Sequence, residues 1–213
     1  MVAVKICGIT NEEDETAAIN AGAKLLGFVV DVPSSPRNLP SSIVKRLIGK
    51  MPNEVDSVAV TKFSDTESLR QLLADVRADY LQVHGTSGQS LVQLDDIRDH
   101  IIIAVNGEAK NASRMAVEAS KSFRFVLLDS ATELGLGGTG RIHDWHMSRR
   151  IRDEIYPSNL ILAGGLTPQN VAEAIGIVNP FGVDVSTGVE KKPGFKDAKK
   201  MREFIARARG VKM

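Results

Sequence analysis

A chain of 213 residues has room for one large domain or two small ones, and 43% hydrophobic with 25% charged residues excludes wholesale disorder. Lysine and arginine (27) nearly balance aspartate and glutamate (26), leaving a formal charge of +1; that excludes the global basic field of a nucleic-acid binder. A lone cysteine excludes an intramolecular disulfide and fits a reducing compartment.

In chain order, the opening Met1–Thr10 (MVAVKICGIT) carries Lys5 inside its apolar run and lacks the long apolar stretch of a signal peptide. No later run approaches the roughly 18 apolar residues of a spanning helix. A soluble cytoplasmic protein is expected, with neither a membrane nor a nucleic acid as partner. Short apolar runs with strand character follow at Val2–Cys7, Lys24–Asp31, Ser57–Phe63, Tyr80–His84, Ile101–Val105, Phe123–Asp129, Leu160–Ala163 and Gly182–Ser186. Helix-like stretches lie between them, near 11–21, 41–50, 65–77, 88–98, 110–120, 143–155 and 168–177, with a last one near 196–208. Asn11 ahead of Glu12, Glu13 and Asp14 reads as an N-cap followed by acids. Thr167-Pro168 reads as a cap followed by proline at the first helical position. Eight strands, each followed by a helix, predict an α/β protein, a (β/α)8 TIM barrel, as a single domain over 1–213. A doubly wound open sheet, the main rival, more often uses five or six strands. The loops near 32–40 and 130–142 are the longest and the richest in Gly, Pro and Ser.

Strand side chains alternate between faces, and this sorts the barrel interior from its helix-covered outside. In the first strand Val2, Val4 and Ile6 share one face, and Ala3, Lys5 and Cys7 the other. The fourth sets Leu81 and Val83 against Tyr80, Gln82 and His84. The sixth sets Val126 and Leu128 against Phe125, Leu127 and Asp129. The eighth sets Val183 and Val185 against Asp184 and Ser186. The second faces would line the barrel, and their polar members fall toward the strand C-termini, where barrel enzymes place chemistry. Each also fits a bland role. Cys7 can be a small buried hydrophobe, Asp129 a loop-start carboxylate capping backbone, and His84 a hydrogen-bonded structural histidine. Lys5 inside a barrel suits an ion pair; closure makes the first and eighth strands neighbours, so Asp184 is its natural partner. His143 and His146 have helix i,i+3 spacing but no further Cys or acid cluster to complete a metal site, so no metal is expected.

Glycines mark the last two loops. Ala163-Gly164-Gly165-Leu166-Thr167-Pro168 follows the seventh strand, and Ser186-Thr187-Gly188-Val189-Glu190 follows the eighth. Backbone N–H groups freed of side chains approach an anion closely, and in (β/α)8 enzymes these two loops often bind phosphate. Neither loop is a Walker A motif or a dinucleotide fingerprint, so ATP and NAD are not indicated. Ordinary tight turns remain the plain alternative.

Seven motifs then recur in order: Lys5-Ile6-Cys7-Gly8-Ile9-Thr10; Gly27-Phe28 with Ser35-Pro36-Arg37; Leu81-Gln82-Val83-His84-Gly85; Leu128-Asp129; Gly137-Gly138-Thr139-Gly140 with Asp144-Trp145; Leu162-Ala163-Gly164-Gly165-Leu166; and Gly182-Val183-Asp184-Val185-Ser186-Thr187-Gly188-Val189-Glu190. Together they resemble the phosphoribosylanthranilate isomerases of tryptophan biosynthesis, from the first strand to the last helix. The resemblance implies a cofactor-free Amadori rearrangement of N-(5-phosphoribosyl)anthranilate to 1-(2-carboxyphenylamino)-1-deoxyribulose 5-phosphate. It implies Cys7 as general base, Asp129 as general acid, and Arg37 as the holder of the anthranilate carboxylate. Gly164, Gly165 and Gly188, with Ser186 and Thr187 alongside, fall to the phosphate, and His84 and Asp184 join the substrate-binding set. The partner implied is a small phosphosugar, and the assembly a monomer or a homodimer.

Departures from the family pattern are few: Thr61-Lys62 in the third strand, Ala104-Val105-Asn106 closing the fifth, Thr187 where serine is usual, and His143 ahead of Asp144-Trp145. They touch the walls of the expected pocket and none of Cys7, Asp129 and Arg37. Two other readings share the fold: a metal-dependent pentose-phosphate epimerase, which needs a metal cluster at the strand ends, and a non-catalytic phosphate-ligand binder, against which the retention of Cys7 and Asp129 argues.

Overall fold

The computed structural model describes residues 1–85, 94–130 and 144–211. Eight parallel strands form the frame: β1 (Ala3–Cys7), β2 (Leu25–Val30), β3 (Asp56–Lys62), β4 (Tyr80–His84), β5 (Ile101–Asn106), β6 (Phe125–Asp129), β7 (Asn159–Leu162) and β8 (Gly182–Val185). They pair in sequence order, and β1 pairs with both β2 and β8, so the sheet closes on itself. Closure rejects the open doubly wound sheet. Among the described residues seven α-helices surround it: α1 (Glu12–Ala21), α2 (Ser41–Ile48), α3 (Thr66–Val76), α4 (Ala112–Ser120), α5 (Trp145–Glu154), α6 (Val171–Val178) and α7 (Ala198–Arg209).

Alternation in the strands builds two separate cores. Val4, Ile6, Leu81, Val83, Val126, Leu128, Val183 and Val185 point outward and merge with the apolar faces of the helices into one large cluster. Cys7, Leu25, Val58, Ile102, Phe125, Leu127 and Ile161 point inward and form a smaller one inside the barrel. The faces expected for the first, fourth, sixth and eighth strands are those observed. Register does the rest: Lys5 lies directly opposite Asp184 across the β1–β8 seam, and Cys7 opposite Gly27 on β2.

Helix ends follow their caps. Asn11 caps α1 by accepting from the Asp14 N–H at 2.8 Å, as its sequence suggests. Asp65, Asp144 and Asp197 cap α3, α5 and α7 in the same way.

Three expected elements are corrected. The helix placed near 168–177 begins at Val171, because residues 167–170 form a turn whose Asn170 side chain bends back, accepting from the Thr167 N–H at 2.8 Å and donating to the Gly165 carbonyl at 3.0 Å. Thr167 therefore closes the loop after β7, and its Oγ1 accepts from the Gln169 N–H at 3.3 Å, so it caps the turn that leads into α6 and not α6 itself. The last helix starts at Ala198, not near 196. Lys196 belongs to a two-stranded hairpin, Glu190–Lys192 with Phe195–Lys196, and its backbone N–H donates to Asp14 at 2.9 Å. The helix expected near 88–98 lies mostly outside the described residues. Its described end, 94–98, is a turn entering a single 3-10 turn at Arg98–His100, with Asp96 held by both Nε and Nη2 of Arg70 at 2.8 and 2.9 Å. Gly137–Gly140, His143 and most of the loop near 130–142 also fall outside the described residues.

Candidate active site at the mouth of the barrel

A cavity of about 290 Å³ opens at the C-terminal ends of the strands. Cys7, Arg37, His84, Asp129, Gly164, Gly165, Asp184, Ser186, Thr187 and Gly188 all line it, so the residues that the resemblance gives to catalysis and substrate binding meet at one place. The thiol on β1 and the carboxyl on β6 share one wall-to-wall space, and the two glycine-bearing loops form its rim. Ala163 and Leu166, which flank the glycines in their motif, add apolar wall, and so do Val29 and Val60, which no motif named and whose signal was the inward parity of β2 and β3.

Charge in this space is arranged pairwise. Lys5 is 1% exposed and its Nζ donates to Asp184 Oδ1 at 3.1 Å. Burial works against the ammonium, but the Asp184 carboxylate and then the Cys7 sulfur outweigh it and hold the Lys5 pKa above the ordinary lysine value. Burial pushes the Cys7 thiol up; Lys5 pulls against that shift, Asp184 adds to it, and Lys196 pulls back again. The closeness of sulfur and ammonium needs Gly27. A Cβ there would stand 2.8 Å from Cys7 Sγ and 3.1 Å from Lys5 Nζ, so any side chain would wedge the pair apart. Burial, followed by the negative charge of Asp184, lifts Asp129 to about 7. A carboxyl at that value still carries its proton in much of the neutral range.

His84 behaves oppositely. Burial first, then the positive charges of Lys5 and Lys62, press its pKa down to about 3. It is a neutral imidazole, hydrogen-bonded through Nε2 to Gln82 Nε2 at 2.8 Å, and serves as a polar contact without being an acid. Lys62, one of the departures in the third strand, stands opposite His84 in register and contributes to this.

Loops after β7 and β8 pack together at the rim. A Cβ on Gly188 would run into the Leu166 carbonyl oxygen, so only glycine lets the two backbones touch. Gly164 and Gly165 turn at φ of 84° and 63°. The short helical turn Thr187–Val189 follows Ser186. Arg37 reaches the same rim from the loop after β2. Its Nε and Nη2 donate to Glu190 at 2.8 and 2.7 Å, and Nη2 also approaches Thr187 Oγ1 at 3.3 Å. That engagement with Glu190, together with the Lys196 Nζ–Glu190 Oε1 contact at 2.9 Å, lay beyond the sequence signal. Among the described residues no group of three or more His, Cys, Asp or Glu side chains is placed to hold a metal ion.

Fold and site together define a (β/α)8 barrel with a charged catalytic-type cavity at the strand C-termini. A family model described as N-(5'phosphoribosyl)anthranilate (PRA) isomerase matches residues 4–207. The chain belongs to that family. It is 39% identical over 209 residues to the N-(5'-phosphoribosyl)anthranilate isomerase of Methanothrix thermoacetophila, covering 98% of this chain and 99% of the relative. The phosphoribosyl anthranilate isomerase of Thermotoga maritima superposes with a TM-score of 0.88 at 35% identity, covering 99% of this chain and all of that one. Another solved isomerase, in complex with reduced 1-(o-carboxyphenylamino)-1-deoxyribulose 5-phosphate, superposes at 0.84 with 34% identity over 99% of this chain and all of that one.

Proposed function

We propose that this cavity carries out the Amadori rearrangement of N-(5-phosphoribosyl)anthranilate to 1-(2-carboxyphenylamino)-1-deoxyribulose 5-phosphate, a step of tryptophan biosynthesis, using side chains alone. The observation that carries the reading is the sharing of one cavity by a buried thiol, Cys7, and a carboxyl lifted to about 7, Asp129. Asp129 gives its proton to the furanose ring oxygen, and the ring opens to a Schiff base. Cys7 removes the C2 proton, the electrons of that bond form the C1–C2 double bond as the imine π pair moves to the nitrogen, and the resulting enolamine tautomerises to the ketone. No atom is gained or lost overall.

A buried thiol is a poor source of thiolate, and the family of charges around Cys7 answers this. Lys5 and Lys196 already oppose the burial, and a protonated imine adds a third positive charge when the base is needed. The substrate's 5-phosphate sits on the backbone of the β7 and β8 loops with Ser186 and Thr187, its carboxylate on Arg37, and its polar edge against His84 and Asp184. The one cysteine of the chain is a buried free thiol, which fits a reducing cytoplasm. No helix among the described residues is long and apolar enough to cross a membrane. The enzyme works as a monomer or a homodimer.

The test is direct. Purified protein added to freshly made N-(5-phosphoribosyl)anthranilate is expected to abolish the anthranilate fluorescence signal, at the same rate with and without EDTA. A stable signal ends the reading; a chelator-sensitive rate ends its metal-free form.

A further inference from the structure

Behind the cavity wall one carboxylate is shared by the two ends of the substrate site. The Glu190 side chain is 3% exposed, on the hairpin that follows the β8 loop. Its oxygens accept from Arg37 Nε at 2.8 Å, Arg37 Nη2 at 2.7 Å, Lys196 Nζ at 2.9 Å and the Gly194 N–H at 3.3 Å. Lys196 Nζ also reaches the Ser186 carbonyl at 3.3 Å and Ser186 Oγ at 3.4 Å. The Arg37 side chain runs over Gly8, where an added Cβ would lie 2.5 Å from its Cδ. Glu190 thus grips one edge of the guanidinium, through Nε and Nη2. Nη2 also donates to Thr187 Oγ1 at 3.3 Å, and Nη1 takes no part in this grip, on a side chain that lines the cavity.

We propose that Glu190 is a positioning residue: it holds Arg37 edge-on so that the remaining edge of the guanidinium receives the substrate carboxylate, and through Lys196 it ties that clamp to the Ser186–Thr187 side of the phosphate rim. The proposal rests on the reading of Arg37 as the carboxylate clamp. An arginine side chain loses substantial rotamer freedom when it is fixed, and a buried partner that fixes it beforehand removes that cost from substrate binding. The planar fork makes this division possible, since one guanidinium can present two carboxylate-matching edges. The buried Lys196 and the partly buried Arg37 face one buried carboxylate here, so one positive charge is left over for a ligand.

Glu190→Gln keeps the shape and removes the charge. Its KM for N-(5-phosphoribosyl)anthranilate is expected to rise about tenfold with kcat within about threefold of the parent. The rise should vanish with N-(5-phosphoribosyl)aniline, which lacks the carboxylate, and should add nothing to the KM of Arg37→Met. Glu190→Asp keeps the charge and withdraws it by one methylene, so a smaller KM rise is expected, and this variant carries the test if the glutamine protein fails to fold. If Arg37→Met itself leaves KM unchanged, the clamp reading falls and this proposal falls with it. If Arg37→Met raises KM but the Glu190 variants keep the parental KM, raise it equally for the aniline substrate, or add fully to Arg37→Met, the positioning role alone is overturned.

Discussion

The two ends of the barrel interior are built from the same strands and put to opposite uses. At the N-terminal end Tyr80 opens β4 and Phe125 opens β6, with ring centroids 5.5 Å apart at 80°, and Phe181, just ahead of β8, packs on Phe125 at 5.5 Å. That end is a plug of one edge-to-face and one tilted aromatic contact, with nothing to ionise among the three but a phenol. At the C-terminal end β4 and β6 finish in His84 and Asp129, β8 carries Asp184 one residue before its end with Lys5 level with it in register, and Cys7 closes β1. Buried charges there lean on each other, and such pairs contribute little net stability while costing much when broken. The difference shows a division of labour along one axis: packing energy is collected at the bottom and spent on displaced pKa values at the top.

Breaking the top should cost rate and leave the fold. Cys7→Ala is expected to lower kcat by about 10²- to 10⁴-fold, the range of a lost general base, with the far-UV spectrum and Tm close to the parent. Steady-state fluorescence kinetics check it, and near-parental turnover would remove Cys7 as the base. Breaking the bottom should do the reverse. Phe125→Ala is expected to destabilise by about 3 kcal/mol, the low end for a buried phenylalanine because Phe181 beside it is 43% exposed. Urea unfolding reads that loss, and the folded fraction should keep its kcat.

Asp129→Asn joins both sides of the comparison. Its activity should fall as far as that of Cys7→Ala. Its stability should rise, and only at high pH. A carboxyl raised by folding from about 3.9 to about 7 contributes stability that is complete below about pH 4 and is lost as pH climbs through 7. At pH 8.5 the parent must hold an ionised Asp129 in a buried site that also faces Asp184. The asparagine variant avoids this and should gain on the order of 2 kcal/mol there, shrinking toward nothing at pH 4. The parental kcat/KM should correspondingly decline above about pH 7 as the acid loses its proton. A smaller effect is expected at the rim: Arg37→Met should raise KM about tenfold and change kcat less, and a loss confined to kcat would show that the arginine does not grip the ground-state carboxylate.

How much of this was legible in the sequence follows from range and length. The eight strands could be read as short apolar runs between helix-like stretches, the inward faces of the first, fourth, sixth and eighth because polar residues there alternate with apolar ones, and the Lys5–Asp184 pair because closure makes the first and last strands neighbours. The glycines after β7 and β8 could be placed on the rim for the same reason. The hairpin at Glu190–Lys196 could not, since strands of two and three residues carry no period. Nor could the grip of Glu190 on Arg37, which spans 153 positions and joins two loops whose course no local pattern fixes. Thr167-Pro168 marked a real cap, with Thr167 Oγ1 accepting from the Gln169 N–H, but the turn it opens gives way to α6 only at Val171, and the Asn170 amide that closes the loop carried no local signal.

A second carboxyl sharpens the comparison to its smallest expected effect. Glu15, in α1, is buried like Asp129, and burial, helped by the negative charge of Glu12, lifts it also to about 7. Its Oε2 has no hydrogen-bond partner among the described residues. The two carboxyls therefore share a pKa and differ in surroundings: Asp129 faces a thiol across a substrate-sized cavity, whereas Glu15 lies on the helical layer with no such neighbour. Glu15→Gln should leave kcat and KM unaltered at every pH. It should stabilise the protein above about pH 7, where the parental carboxylate must ionise in place, and have no effect near pH 4. Exposed charges around it, Lys50 among them, screen part of the cost, so the gain should stay below about 1 kcal/mol. Thermal unfolding at pH 4 and 8.5, run beside the Asp129→Asn variant, measures both. Equal pKa values with opposite consequences for catalysis would show that the displaced titration is a product of burial anywhere in the fold, and that only at the mouth does geometry turn it into an acid with something to protonate. A Glu15→Gln enzyme with altered pH dependence of kcat would contradict that, by linking the helical layer to the chemistry inside the barrel.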